Sequence, residues 1–143
     1  MAATPRLFLD ASVLIAAAGS AEGGSALLMD VCRASKTRLL VTRLVLREAE
    51  RNIQRKLDEA GLLRFYQLIV DLDLQITPTP SSEELNEAAE VVAAKDAHVL
   101  AAARTGKATH LITLDRKHFL HAKQKDGILP IVACTPGEFL ATL

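Results

Sequence analysis

Short apolar runs alternate with longer stretches of helical periodicity along the whole chain. Leu7-Phe8-Leu9 is an apolar run that ends at Asp10; Leu39-Leu40-Val41, Leu74 to Thr77, Leu111 to Leu114 and Ile131 to Ala133 repeat the pattern. Runs this short, bounded by polar and turn-forming residues, suit strands covered on both faces. Between the first two, Ala11 to Ala18 has helical composition and stops at Gly19, and Gly23-Gly24 breaks the chain again. Ser25 to Ala34 places Leu27, Leu28, Val31 and Ala34 at the spacing of a helix. Thr42 is positioned to cap a long amphipathic helix over 43–57, with Leu46, Ala49, Ile53 and Leu57 on its apolar stripe. Gly61 reads as punctuation before a helix over 62–72. Pro78 and Pro80 close the third strand, and Ser81 with Glu84 has capping-box spacing that opens a helix to about Ala94. Asp96 starts a second, Ala-rich helix that ends at Gly106, and Pro136 to Leu143 forms a closing helix. Strands that alternate with helices in this way predict an α/β sandwich with a mostly parallel sheet.

Composition narrows the class of protein. A chain of 143 residues without repeats, low-complexity tracts or a linker fits one domain, which typically runs about 100–200 residues. Half the residues are hydrophobic, which excludes intrinsic disorder, and no apolar run reaches the ~18 residues of a membrane span. Aromatics are 3% and Trp is absent, which argues against an aromatic stacking platform for single strands. Lys plus Arg and Asp plus Glu are 17 each, so the chain is not globally basic. Cys32 and Cys134 lie far apart, show no CxxC spacing and do not form a secreted-type framework. The His118-xx-His121 pair reads as surface loop rather than as a metal site. The small residues Ala16 to Ala21 imitate a leader cleavage site, but Asp10 sits in the middle of the apolar region before them. A charge there costs a few kcal/mol to insert, so Arg6 to Ala18 reads as strand then helix, with a cytoplasmic location expected.

Four acids fall where this organisation gives them meaning. Asp10 directly follows the first strand, and Asp115 follows the fourth. Asp96 opens a helix, and Glu48 lies in the long helix after the second strand. In a parallel α/β sheet the active site lies at the carboxyl ends of the strands, where these acids would converge. Carboxylates repel one another, and the common reason to gather them is a hard divalent cation such as Mg²⁺ or Mn²⁺, which prefers oxygen ligands. Such ions activate water in phosphodiester hydrolysis, and Ser12 and Thr113 are placed to support the ligands through their hydroxyls. Each acid also has a structural reading: Asp96 as a helix cap, Asp10 and Asp115 as turn residues, Glu48 as a solvated residue paired with Asn52.

The segments Leu7 to Ile15, Val45-Leu46-Arg47-Glu48, Lys95 to Ala103 and Leu111 to Phe119 together resemble, in order and spacing, the motifs of PIN-domain nucleases. The resemblance covers nearly the whole chain and is most specific in its last two segments. It implies a three-layer α/β/α sandwich with a parallel five-stranded sheet. It further implies an Mg²⁺- or Mn²⁺-dependent endoribonuclease, with Asp10, Glu48, Asp96 and Asp115 as metal-binding acids and Ser12 and Thr113 as polar companions. Many small members of the family are VapC-type toxins, so the resemblance implies an antitoxin partner as well. Glu50 shares the helix of Glu48, and the motif spacing favours Glu48.

The charges are segregated although their sum is zero. Between Arg33 and Lys56 there are eight basic residues and two acids, and between Leu57 and Glu90 eight acids and one Arg. Arg43, Arg47, Arg51 and Arg55 recur every four residues along one side of the long helix. They form either a solvated face partnered by Glu50 or, with Arg116 and Lys117, a stripe that tracks an RNA backbone beside Glu48. Apolar positions on the N-terminal helices are compatible with a homodimer. Two rival readings stand beside the ribonuclease. One is a catalytically inactive RNA-binding or protein-interaction module of the same fold, which would not need all four acids. The other is a phosphoaspartate enzyme, which would need a second acid close to Asp10, where Ala11 and Ser12 supply none.

Overall fold

The computed structural model describes residues 4–119 and 131–143, so His121 and any role of the His118-xx-His121 pair lie outside the described residues. The strands are β1 (Arg6–Leu9), β2 (Arg38–Val41), β3 (Leu74–Ile76), β4 (His110–Ile112) and β5 (Val132–Cys134). They form one sheet, ordered β3-β2-β1-β4-β5, with every neighbouring pair parallel. Central β1 is the most apolar run for a physical reason. Leu7, Phe8 and Leu9 are all fully buried, because β1 has strands on both edges and is covered on both faces.

The helices are α1 (Ala11–Gly19), α2 (Gly24–Ala34), α3 (Arg43–Lys56), α4 (Glu59–Asp71), α5 (Ser82–Ala88), α6 (Ala97–Thr105) and α7 (Pro136–Leu140). Helices α1, α2, α3, α4 and α7 pack on one another, and α5 packs on α6. With right-handed crossovers, the strand order that runs outward from β1 to β3 and then returns to β4 puts these two groups on opposite faces of the sheet. The result is the expected α/β sandwich. Helix α6 is almost wholly buried through Ala97, Val99, Leu100, Ala101, Ala102 and Ala103, whose small side chains let it lie close to its neighbours. No single helix among the described residues is long and apolar enough to cross a membrane.

Several expected boundaries move. Gly61 does not interrupt the chain: α4 begins at Glu59, with the Asp58 carboxylate accepting from the Gly61 N–H at 2.9 Å. A Cβ at Gly61 would meet Leu57 Cβ at 2.9 Å, so the glycine serves a close approach inside the first turn. Helix α5 keeps its capping box, Ser81 with Glu84, but ends at Ala88 rather than near Ala94. Val92 turns in against the core, and β-branched Val91-Val92 is a poor helical continuation. The closing helix ends at Leu140 rather than Leu143. On α3 the buried residues are Val45, Ala49 and Ile53, while Leu46 and Leu57 are only partly covered. Both cysteines are free and buried, and burial pushes each thiol up to about 11.

Candidate active site

The strand order reverses between β1 and β4, and in open α/β sheets the crevice outside that point is where ligands bind. Asp10 stands at the end of β1, its N–H donating to the Ile112 carbonyl of β4 at 3.0 Å. It is also the N-cap of α1: Oδ1 accepts from the Ala11 N–H at 2.8 Å. Its Oδ2 accepts from the Ser12 hydroxyl at 3.0 Å and the Thr113 hydroxyl at 2.8 Å. Each hydroxyl oxygen in turn accepts a backbone N–H from the loop after β4. Leu114 donates to Ser12 at 3.1 Å, and Asp115 donates to Thr113 at 3.0 Å. The two strand exits are thus tied together through one carboxylate. Asp10 uses three of the roughly four acceptor positions of a carboxylate, which leaves room for a further electrophile. Thr113 is fully buried, and Asp115 is exposed with its backbone fixed and its carboxylate in solvent.

Asp96 is at the N-cap position of α6, but its side chain makes no capping bond. Its Oδ2 is buried without a hydrogen-bond partner among the described residues, and the His118 ring nitrogen Nδ1 lies 3.6 Å away, beyond hydrogen-bond distance. The helix-cap reading of Asp96 therefore does not describe its side chain. Glu48 Oε1 lies 3.0 Å from His98 Nε2. His98 Nδ1 is buried without a partner among the described residues, so Nε2 is the ring nitrogen that meets Glu48. Asn52 does approach Glu48, but it donates to the backbone carbonyl at 2.8 Å rather than to the carboxylate. Neither His98 nor His118 is among the expected site residues. His98 lies two residues after Asp96 and His118 three after Asp115, a proximity in sequence that was the available signal.

The four carboxylates lie on one side of the molecule by topology, yet no three His, Cys, Asp or Glu side chains among the described residues form a ready-made set of ligands. Full convergence of all four side chains is thus not seen as they stand. The donor set nonetheless suits a hard cation. Its donors are oxygens, Asp10 keeps a free acceptor position and Asp96 carries an orphaned buried oxygen. Mg²⁺ commonly takes only one or two carboxylates and keeps several waters, so a trio in contact is not required. Arg43, Arg47, Arg51 and Arg55 are all exposed on α3 and form no ion pair among the described residues. Glu50, their expected partner, instead accepts from the Tyr66 hydroxyl at 2.6 Å. Lys117 is exposed, and Arg116 pairs with Glu138 at 3.2 Å. A cavity of about 600 Å³ opens at the opposite, amino-terminal edge of the sheet beside Arg6, Arg38 and Asp73, away from these acids.

The family model "PIN domain" matches residues 6–117, which span β1 to the loop after β4. The chain belongs to the PIN-domain family. PIN-domain proteins are generally nucleases that use divalent metals, and membership supports a nuclease or toxin-like role. Two solved structures share the PIN fold. PAE2754 from Pyrobaculum aerophilum superposes with a TM-score of 0.64 at 19% identity, over 96% of this chain and 94% of that one. VapC20 from Mycobacterium tuberculosis, described as a toxin that cleaves the sarcin–ricin loop, gives 0.55 at 13% identity, over 73% and 86%. No curated protein matches the chain in sequence.

Proposed function

We propose that this PIN domain is a metal-dependent endoribonuclease and the toxin of a toxin–antitoxin pair. The observation that carries the reading is the site at the β1/β4 crevice. There Asp10 is locked by Ser12 and Thr113 while Asp96 holds a buried carboxylate oxygen with no partner among the described residues. An unpaired buried carboxylate is costly, and a cation is the ordinary way to offset it. Asp10, Glu48, Asp96 and Asp115 would hold Mg²⁺ or Mn²⁺. Bound there, the ion would supply Lewis-acid activation of water and neutralise charge on the phosphodiester. The chain's own residues do the rest. Ser12 and Thr113 fix the Asp10 carboxylate, His98 fixes Glu48, and the unpaired arginines of α3 with Lys117 hold the RNA backbone by charge.

The VapC-like fold supports two partners. An antitoxin would inhibit by covering the acids, with a basic side chain, Arg by its geometry, reaching the carboxylates in place of the ion. A second copy of the chain would cover exposed Leu27 on α2 and Leu44 on α3. Light scattering that shows only monomer removes the dimer, and co-expression with the neighbouring gene product without a complex removes the antitoxin. The catalytic claim is tested with end-labelled RNA in Mn²⁺, in Mg²⁺ and in EDTA. Endonucleolytic products in either metal and none in EDTA are expected. RNA that is bound but left intact in every metal would favour the alternative, an inactive PIN-fold binding module.

A further inference from the structure

The cavity of about 600 Å³ at the amino-terminal edge of the sheet has no part in the account above. Its volume lies within the range of small-molecule pockets. Cys32, Leu39 and Leu72 give it an apolar floor, each 5% exposed or less, while the rest of its lining is largely charged or hydroxylic. Arg6 opens β1 and Asp10 follows its end, so at about 3.3 Å per residue the two are about 13 Å apart. The cavity is therefore a place separate from the acids.

Two arginines stand side by side there. Arg6 and Arg38 both line the cavity and are register partners on parallel β1 and β2, whose backbones lie about 4.8 Å apart. Like charges at neighbouring positions of a sheet are destabilising unless an anion offsets them. The protein offers little to offset these. Arg6 is partly buried and spends Nε and Nη2 on the Gly106 carbonyl, at 3.2 and 2.8 Å, with no carboxylate in ion-pair reach among the described residues. Arg38 has Asp73 at 4.0 Å, with the two side chains 60% and 99% exposed. A pair that open to solvent is worth little. Lys36, on the loop between α2 and β2, also lines the cavity and makes no hydrogen bond or ion pair among the described residues. The fourth basic residue of the lining, Arg33, is engaged by Asp30 at 3.0 Å. Three cations thus border one concavity without a strong counter-ion. The acids of the lining are Asp71, at the end of α4, and Asp73, just before β3. Asp71 makes no hydrogen bond or ion pair among the described residues, so its acceptor positions are open.

We propose that this cavity binds a nucleoside di- or triphosphate, with the phosphates between Arg6, Lys36 and Arg38 and the sugar hydroxyls donating to Asp71 and Asp73. Successive phosphates of such a ligand share a bridging oxygen, which suits cations on adjacent strands. Those of a nucleic-acid strand lie a whole nucleotide apart. A purely anionic ligand would be repelled by the two carboxylates, whereas hydroxyl groups give them donors. This binding needs neither a metal nor RNA cleavage, so it stands or falls apart from the ribonuclease reading.

The test titrates the isotopically labelled full chain in EDTA with adenosine triphosphate, with guanosine triphosphate, with pyrophosphate, with chloride at equal ionic strength, and with a short ribo-oligonucleotide that lacks terminal phosphates. The amides of Arg6, Lys36, Arg38 and Asp73 should shift with at least one nucleotide, at about one-tenth of the concentration that pyrophosphate requires, and not with chloride. Lys36→Glu reverses one exposed charge, so it should melt as the wild type does and bind the nucleotide at least about tenfold more weakly. Asp71→Ala removes a hydroxyl acceptor and a repelling charge together. It should tighten pyrophosphate and erase the advantage of the nucleotide over it. Absent shifts at these amides, equal shifts with chloride, or Lys36→Glu that binds as the wild type does would overturn the site. Pyrophosphate that binds the wild type as tightly as the nucleotides would overturn the nucleoside assignment. An oligonucleotide bound in preference to both would do so too, by making the cavity a contact for a nucleic-acid backbone.

Discussion

Replacing Asp96 separates a metal-binding acid from a structural one, because the two roles predict opposite signs. The carboxylate makes no capping bond, its Oδ2 is buried without a partner among the described residues, and His118 Nδ1 lies 3.6 Å away. A buried group left unsatisfied costs about 1–3 kcal/mol, more when charged. Asp96→Asn keeps the shape and removes the charge, so the metal-free protein should gain about 1 kcal/mol. In a domain of this size that is roughly 2–4 °C in Tm. Asp96→Ala should also be no less stable than the wild type. Loss of a working cap would instead cost about 1 kcal/mol, typically. Metal reverses the ranking. Mn²⁺ at 100 times its Kd stabilises the wild type by about 2.7 kcal/mol through binding the folded state alone. In Asp96→Asn that gain should shrink, and RNA cleavage should fall by roughly two orders of magnitude or more. Calorimetric melts in EDTA and in Mn²⁺, with a cleavage assay, read all three quantities. Asp96→Ala that is destabilised in EDTA, or Asp96→Asn that responds to Mn²⁺ as the wild type does, would refute the reasoning.

Three further outcomes are expected. Arg47→Ala with Arg51→Ala should weaken binding to any RNA and flatten its salt dependence by about 1.4 in log–log slope, two contacts at about 0.7 each for a single strand; an unchanged slope removes the arginine stripe. Thr113→Val deletes a buried hydroxyl that bridges Asp10 and the Asp115 N–H, so urea titration should show a loss of about 1–3 kcal/mol, with a lower kcat. Cys32 and Cys134, each held by burial at about 11, should resist alkylation at pH 8 in the native state. A thiol whose folded value is raised stabilises fully below its unfolded value near 9, so the Tm should hold up to about pH 8 and fall as pH rises from 9 to 11. A Tm that rises over that interval contradicts the burial of the thiols.

The architecture was legible where local chemistry dictated it. The apolar runs at Leu7–Leu9 and Leu39–Val41 became the two most deeply covered strands, because a parallel strand with neighbours on both sides has no polar face to display. The caps at Thr42 and Ser81, and the helices that follow them, came from side-chain bonds that span three residues. The misses have non-local causes. Gly61 looks like a break in the sequence because the demand it meets, the close approach of Leu57, is set by packing. The end of α5 depended on Val92 turning into the core. At the site, Asp10, Ser12 and Thr113 were named from the motifs, and their hydrogen bonds link positions 103 residues apart that only the β1/β4 pairing brings together. The histidines beside Glu48 and Asp96 were not foreseen, since partnership between a helix residue and a distant ring leaves no periodic trace.

The central claim is that the β1/β4 crevice holds a divalent cation on its carboxylates. Paramagnetic Mn²⁺ titrated into the labelled, metal-free protein reads this without any substrate, because it broadens amide signals only near where it binds. The amides of Asp10, Ser12, Asp96, Ala97, Thr113 and Asp115 should broaden first and together. Those of Arg38 and Asp73, at the other edge of the sheet, should stay sharp, and Asp10→Asn with Asp96→Asn should abolish the effect. Broadening that begins elsewhere, such as along the acidic stretch Glu83 to Glu90, or that survives both substitutions, would contradict the site.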